Sequence, residues 1–86
     1  MLYLNSEGDY RDQRCLTVAL TPPVAQALEA ALGADPVVAL RGKSVRVVGT
    51  AQRVTVWFYS NGRRTDKYYY QTQIQIGDIS QISVLP

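Results

Sequence analysis

The chain contains no histidine and only one cysteine, Cys15. The first absence removes the commonest general base and the commonest zinc ligand. The second rules out an internal disulfide and fits a reducing compartment, so a cytoplasmic location is expected. No apolar run approaches the roughly 20 residues of a membrane helix, and no leader pattern opens the chain, so no membrane partner is expected. Phosphate-loop spacing is absent: Gly42-Lys43 has no upstream glycine at the right distance. Asp9 and Asp12 stand close together in DYRD, but that run matches no calcium-loop pattern. Turn formation, with Arg11 or Arg14 as salt partners, is the expected role of these two acids. No catalytic residue, metal site or small-molecule cofactor emerges, and the protein is not expected to be an enzyme.

What is present fits one small soluble domain, residues 1–86. The formal net charge of +2 says little by itself, but its distribution is uneven. Residues 1–40 hold Arg11 and Arg14 against Glu7, Asp9, Asp12, Glu29 and Asp35, a net of −3. Residues 41–86 hold seven cations against Asp66 and Asp78, a net of +5. A basic half points to an anionic partner; the plainer reading is a solvated strand face.

The stretch Lys43 to Ile76 organises the rest. KYYYQTQIQI alternates cleanly, with Tyr68, Tyr70, Thr72, Ile74 and Ile76 on one face and Lys67, Tyr69, Gln71, Gln73 and Gln75 on the other. The preceding strand changes phase, Val45 and Val47 sharing one parity and Val54, Val56 and Phe58 the other. This predicts a β-bulge between Gly49 and Arg53. If Phe58 and Val56 face the core with Tyr68 and Tyr70, paired residue numbers sum to an even number. That register rejects a two-residue Asn61-Gly62 turn in favour of a longer loop, about Ser60 to Asp66. It also sets Trp57 opposite Tyr69 on the outer face.

Elsewhere, Met1 to Asn5 and Arg14 to Leu20 read as strands separated by a polar connection. Thr21-Pro22 opens a helix with a capping hydroxyl and a proline in its first turn, and Gly33 ends it. Ala34 to Leu40 is an apolar connector, and Gln81 to Leu85 a last short strand. The predicted core comprises Leu16, Val18, Leu28, Leu32, Val45, Val47, Val56, Phe58, Tyr70, Ile74, Ile76, Ile82 and Val84.

The fold expected is mainly β, a barrel with one helix: strand, strand, helix, long strand, long strand, short strand. An OB-fold has three strands, a helix and two strands, and the order here matches it from the second strand onward. LYLNSEGDYRDQRCLTVAL, LRGKSVRVVGTAQRV and IQIGDISQISVL resemble a group of small bacterial OB-fold modules over nearly the whole chain. The motifs are Tyr3-Leu4-Asn5, Asp9-Tyr10-Arg11, Gly42-Lys43, Gly49, Asp78 and Gln81-Ile82. The resemblance implies the fold and carries no catalytic signature. Such modules have a further strand before the LYLN segment, so the expectation is either an upstream start or closure by dimerisation. Their last hairpin is also shorter than TVWFYSNGRRTDKYYY.

The candidate nucleic-acid-binding residues are Arg53, Trp57, Tyr59, Arg63, Arg64, Lys67 and Tyr69. Single-strand binders pair aromatic platforms with basic grooves, and the even-sum register gathers these side chains on one face. Two other readings stay open: Trp57 and Tyr69 as a cross-strand pair that stabilises the hairpin, or a homodimer interface, where Trp, Tyr and Arg are also enriched.

Overall fold

A computed structural model describes residues 1–9 and 11–86; Tyr10, part of the Asp9-Tyr10-Arg11 motif, lies outside the described residues. The protein is mainly β, 46% strand and 21% helix. Its elements are β1 (Leu2–Asn5), β2 (Leu16–Leu20), α1 (Pro22–Leu32), α2 (Pro36–Ala39), β3 (Val45–Val47), β4 (Ala51–Ser60), β5 (Arg63–Ile76), a 3-10 turn (Ile79–Gln81) and β6 (Ile82–Val84). The strands form a four-stranded sheet in the order β1-β2-β5-β4 and a separate two-stranded sheet, β3-β6. β2 runs parallel to β5 from Leu16–Thr72 to Leu20–Ile76, and the other pairings are antiparallel.

The core lies where α1 and the small sheet cover one face of β2 and β5. Val18, Leu20, Val24, Leu28, Ile74, Ile76 and Ile82 are buried there, with Leu16, Leu32 and Val47 packed at the margin. α1 begins as its sequence dictates, with proline in its first turn and Gly33 in the left-handed region at φ 71° donating its N–H to the Glu29 carbonyl. Thr21 sits at the N-cap, but its hydroxyl makes no capping hydrogen bond. The apolar connector contains a short helix, α2, capped by the Asp35 carboxylate accepting from the Val37 N–H at 2.9 Å. Asp9 and Asp12 act as turn formers: Asp9 accepts from the Arg11 backbone and side chain, and Asp12 from those of Arg14. These hydrogen bonds, from backbone first for Asp9 and side chain first for Asp12, hold both carboxyls below their ordinary value of 3.8.

Several expectations are corrected. Between Gly49 and Arg53 there is no bulge; β3 and β4 belong to different sheets, and the chain turns a corner at 48–50. Gly49 is required there because an added Cβ would stand 2.6 Å from Ile74 Cγ2. The hairpin closes through the two-residue turn after all, with Ser60 paired to Arg63 and both Asn61 (φ 52°) and Gly62 (φ 76°) left-handed, as a type I′ turn requires. Trp57 therefore faces Tyr68, not Tyr69, and the irregularity lies between Trp57 and Tyr59. The inward parity of β4 is reversed: Ala51, Arg53, Thr55 and Trp57 share the face of Ile74, while Val54 and Val56 lie on the other. Phe58 is consequently exposed rather than core; Tyr70, on the uncovered part of β5, and Val84, on β6, are exposed as well.

Candidate nucleic-acid interface

β5 is flanked by β2 only from Thr72 onward, so residues 63–71 pair with β4 alone. The two strands project as an arm, and the molecule measures 42 × 23 × 22 Å. The arm carries Arg53, Arg63, Arg64 and Lys67 against one acid, Asp66.

Register decides what each face presents. On the face continuous with the core, cross-strand pairs set Arg53 beside Thr72, Thr55 beside Tyr70 and Trp57 beside Tyr68. The rings form a ladder: Trp57 and Tyr68 centroids are 5.0 Å apart, and Tyr68 and Tyr70 5.4 Å apart in an edge-on contact. A guanidinium lies against each end of it. Arg64 sits 4.4 Å from the Trp57 ring centroid, and Arg53 4.5 Å from that of Tyr70. A hydrogen bond with the Tyr70 side chain pushes the Tyr68 phenol above its ordinary value of 10.0, so it stays neutral at physiological pH. The rungs are aromatic rings, and the cations flank them.

Of the seven expected site residues, the structure brings Arg53, Trp57 and Arg64 together on this face. Tyr59 is 68% exposed and lies across the ladder from Arg64, beside them. Arg63 pairs with Ser60 at the arm's tip. Lys67 lies in the irregular stretch opposite Phe58, where the Thr65 hydroxyl donates to the Phe58 carbonyl at 2.8 Å and accepts from the Lys67 N–H at 3.2 Å. Tyr69 is on the opposite face, its ring 5.4 Å from that of Phe58. Sequence reasoning misses Tyr68 and Tyr70 because their parity assigns them to the core. The signal that finds them is the Asn61-Gly62 turn, which places both beside Trp57.

The opposite face of the sheet is more polar. Tyr3, Asn5, Thr17, Val56, Tyr69 and the amides Gln71 and Gln73 line a shallow depression of about 310 Å³. There the buried Thr17 hydroxyl donates to Asn5 Oδ1 at 2.7 Å, and Gln73 Nε2 donates to Gln71 Oε1 at 2.6 Å. Each of these four side chains has a hydrogen-bond partner within the sheet. Among the described residues no cluster of His, Cys, Asp or Glu could hold a metal ion, and no helix is long and apolar enough to cross a membrane. No protein-family model, curated protein or solved structure matches this chain.

Proposed function

We propose that this protein is a non-catalytic, cytoplasmic OB-fold module that binds single-stranded nucleic acid, with little sequence preference, along the aromatic face of its arm. The observation that carries the reading is the pairing of each end of the Trp57–Tyr68–Tyr70 ladder with a guanidinium. A planar guanidinium against a ring extends the stacking platform, and its in-plane N–H groups remain directed at phosphate oxygens. Bases stack on any such platform because every base has a π-face, which accounts for weak sequence preference. The OB reading is supported by the helix lying between β2 and β5 in sequence and by the long β4–β5 hairpin, where OB-folds carry ligand loops.

Trp57 is the only tryptophan, so its own fluorescence reports the test. Titration with oligo-dT at low salt should quench it. Arg53→Ala with Arg64→Ala should weaken binding and lower the salt slope by about 0.7 for each phosphate no longer neutralised. Tyr68→Ala should cost about 1–3 kcal/mol with the slope unchanged. Absence of binding at low salt, where electrostatics are least screened, would refute the reading.

A second reading is favoured by one further feature: among the described residues the outer edge of β4 is unpaired, along a strand that also displays the exposed Phe58 and Tyr59. Such an edge pairs with edges of other chains, and the arm would then be a self-association surface forming a homodimer. Sedimentation at high micromolar concentration separates the two, since only the second makes Trp57→Ala alter oligomeric state.

A further inference from the structure

We propose that the cleft between β1 and β3 is a receiving slot for an extended peptide segment of another protein, one with apolar side chains at alternate positions and an acidic residue. The cleft has a volume of about 1010 Å³ and an apolar floor of Leu4, Leu16, Val18, Val45, Val47 and Ile74. It is lined by consecutive residues of β1: Tyr3, Leu4 and Asn5. Successive side chains of a strand point to opposite faces, so a cleft reached by consecutive residues meets the strand at its edge. Tyr3 and Asn5 also line the depression on the far face, which places the β1 main chain at the boundary between the two.

The backbone hydrogen bonds identify which groups face the slot. The Ser6 N–H donates to the Leu16 carbonyl at 3.0 Å, and Ser6 and Leu16 continue the β1–β2 register. In an antiparallel ladder alternate residues exchange bonds, so Leu2 and Leu4 bond to β2 while the N–H and C=O of Tyr3 and Asn5 point away. On β3, the Leu85 N–H donates to the Ser44 carbonyl at 2.9 Å, and the Val48 N–H to the Gln81 carbonyl at 2.8 Å. By the same alternation Arg46 bonds to β6, and Val45 and Val47 present their main chain to the open side. All four of these residues line the cleft. Two sheet edges with open main-chain donors and acceptors thus border one apolar trough. A single inserted strand would satisfy both edges by main-chain hydrogen bonding and set every second side chain on the floor.

The occupant cannot be a described strand of a second copy. A strand inserted between two edges needs both of its own edges free, and each of β1 to β6 is already paired on at least one side. The rim selects among peptides. Arg41 and Lys43 stand on it against Glu7, and among the described residues neither cation has an ion-pair partner. A segment carrying an acidic residue at that end complements it.

The test uses the whole protein and a labelled seven-residue probe peptide of alternating valine and threonine ending in glutamate. In the free protein the Tyr3, Asn5, Val45 and Val47 amides should exchange with solvent faster than those of Leu4 and Arg46. Addition of the probe should slow exchange at those four by tenfold or more, with saturable anisotropy. Tyr3→Pro removes one slot-facing N–H without touching the β1–β2 ladder and should weaken binding at least tenfold. Arg41→Glu with Lys43→Glu should do the same and be rescued by a probe ending in lysine. No added protection at the four amides with millimolar probe would overturn the proposal. So would binding indifferent to both variants, or protection of the four amides in a dimer formed without probe. None of these readouts involves nucleic acid.

Discussion

Strand β5 passes from the arm into the body, and its side chains change role along one face. Ile76 and Ile74 are buried, Thr72 lies at the transition, and Tyr70 and Tyr68 are 45% and 48% exposed. The alternation is unbroken; what changes is the layer beneath it. Over Ile74 and Ile76 pack α1 and β6, while β2 flanks them within the sheet, so the apolar face is removed from water by a second layer. Among the described residues no second layer packs on Tyr68 and Tyr70, and the rings contact one another, Trp57 and the Arg53 guanidinium, with that of Arg64 against Trp57. The body is held by burial of area, worth about 25 cal/mol per Å². The arm is held by main-chain pairing, ring stacking of about 0.5–1.5 kcal/mol per pair and a tight turn. A region of the second kind keeps a large aromatic surface open to solvent.

Truncating a side chain of the same sheet in each region separates the two. Ile76→Ala should cost about 2–5 kcal/mol, because Ile76 is fully enclosed and its removal leaves a cavity. In a domain of this size that lowers the melting temperature by more than about 10 °C. Phe58→Ala, on the arm, should cost about 1 kcal/mol or less, since that ring is 36% exposed and packs against the Tyr69 ring alone among the aromatics. Urea melts of the two variants measure the difference. Equal destabilisation would show that the arm has a covered core.

Overpacking the seam comes next. Gly49→Ala brings a methyl group to 2.6 Å from Ile74 Cγ2, and the cost should be about 1–3 kcal/mol, felt by the whole body. Gly62→Val, at φ 76°, should cost about 1–2 kcal/mol. Its effect should be confined to the arm: amide exchange should quicken between Trp57 and Tyr68 while the Val18 and Ile76 amides keep their protection. Uniform loss of protection after Gly62→Val would mean that arm and body unfold as one unit.

The same contrast explains what is legible in the sequence. The β5 alternation, α1 with its proline start and glycine stop, and the turn roles of Asp9 and Asp12 are local signals, and each appears in the structure. The hairpin register is not legible from parity, because that inference assumes an inward Phe58. Register is enforced by burial only where one face is covered; on the arm nothing covers it, so the Asn61-Gly62 turn decides. Arg53, Trp57 and Arg64 gather on one face in the structure even so, whereas Tyr69 leaves that face and Tyr68 and Tyr70 join it. α2 is legible in principle, Asp35-Pro36 being a capping residue followed by a first-turn proline. The slot between β1 and β3 is not, since it depends on which edges remain unpaired once distant strands have met.

A 3-10 turn joins β5 to the small sheet. Asp78 caps the 3-10 turn by accepting from the Ser80 N–H at 2.9 Å, and Gln81 closes the box, its Oε1 accepting from the Gly77 and Asp78 N–H groups. Gln81 Nε2 then donates to the Val48 carbonyl at 3.0 Å, tying the turn to the corner before β4. The backbone and side-chain hydrogen bonds from Ser80 hold the Asp78 carboxyl below its ordinary value of 3.8. A carboxyl whose value is lower folded than unfolded contributes stability above the unfolded value and loses it as pH falls through the folded one. Asp78→Asn keeps an acceptor at the cap and removes the charge. The variant should therefore melt slightly below the wild type at pH 7, and the gap should narrow below pH 3.8 and close as the wild-type carboxyl is protonated. Asp9 and Asp12 titrate in the same direction and remain in both proteins, so they cancel in the difference. A gap that stays constant across the acid range would assign the effect of Asp78 to the shape of its side chain and not to its charge.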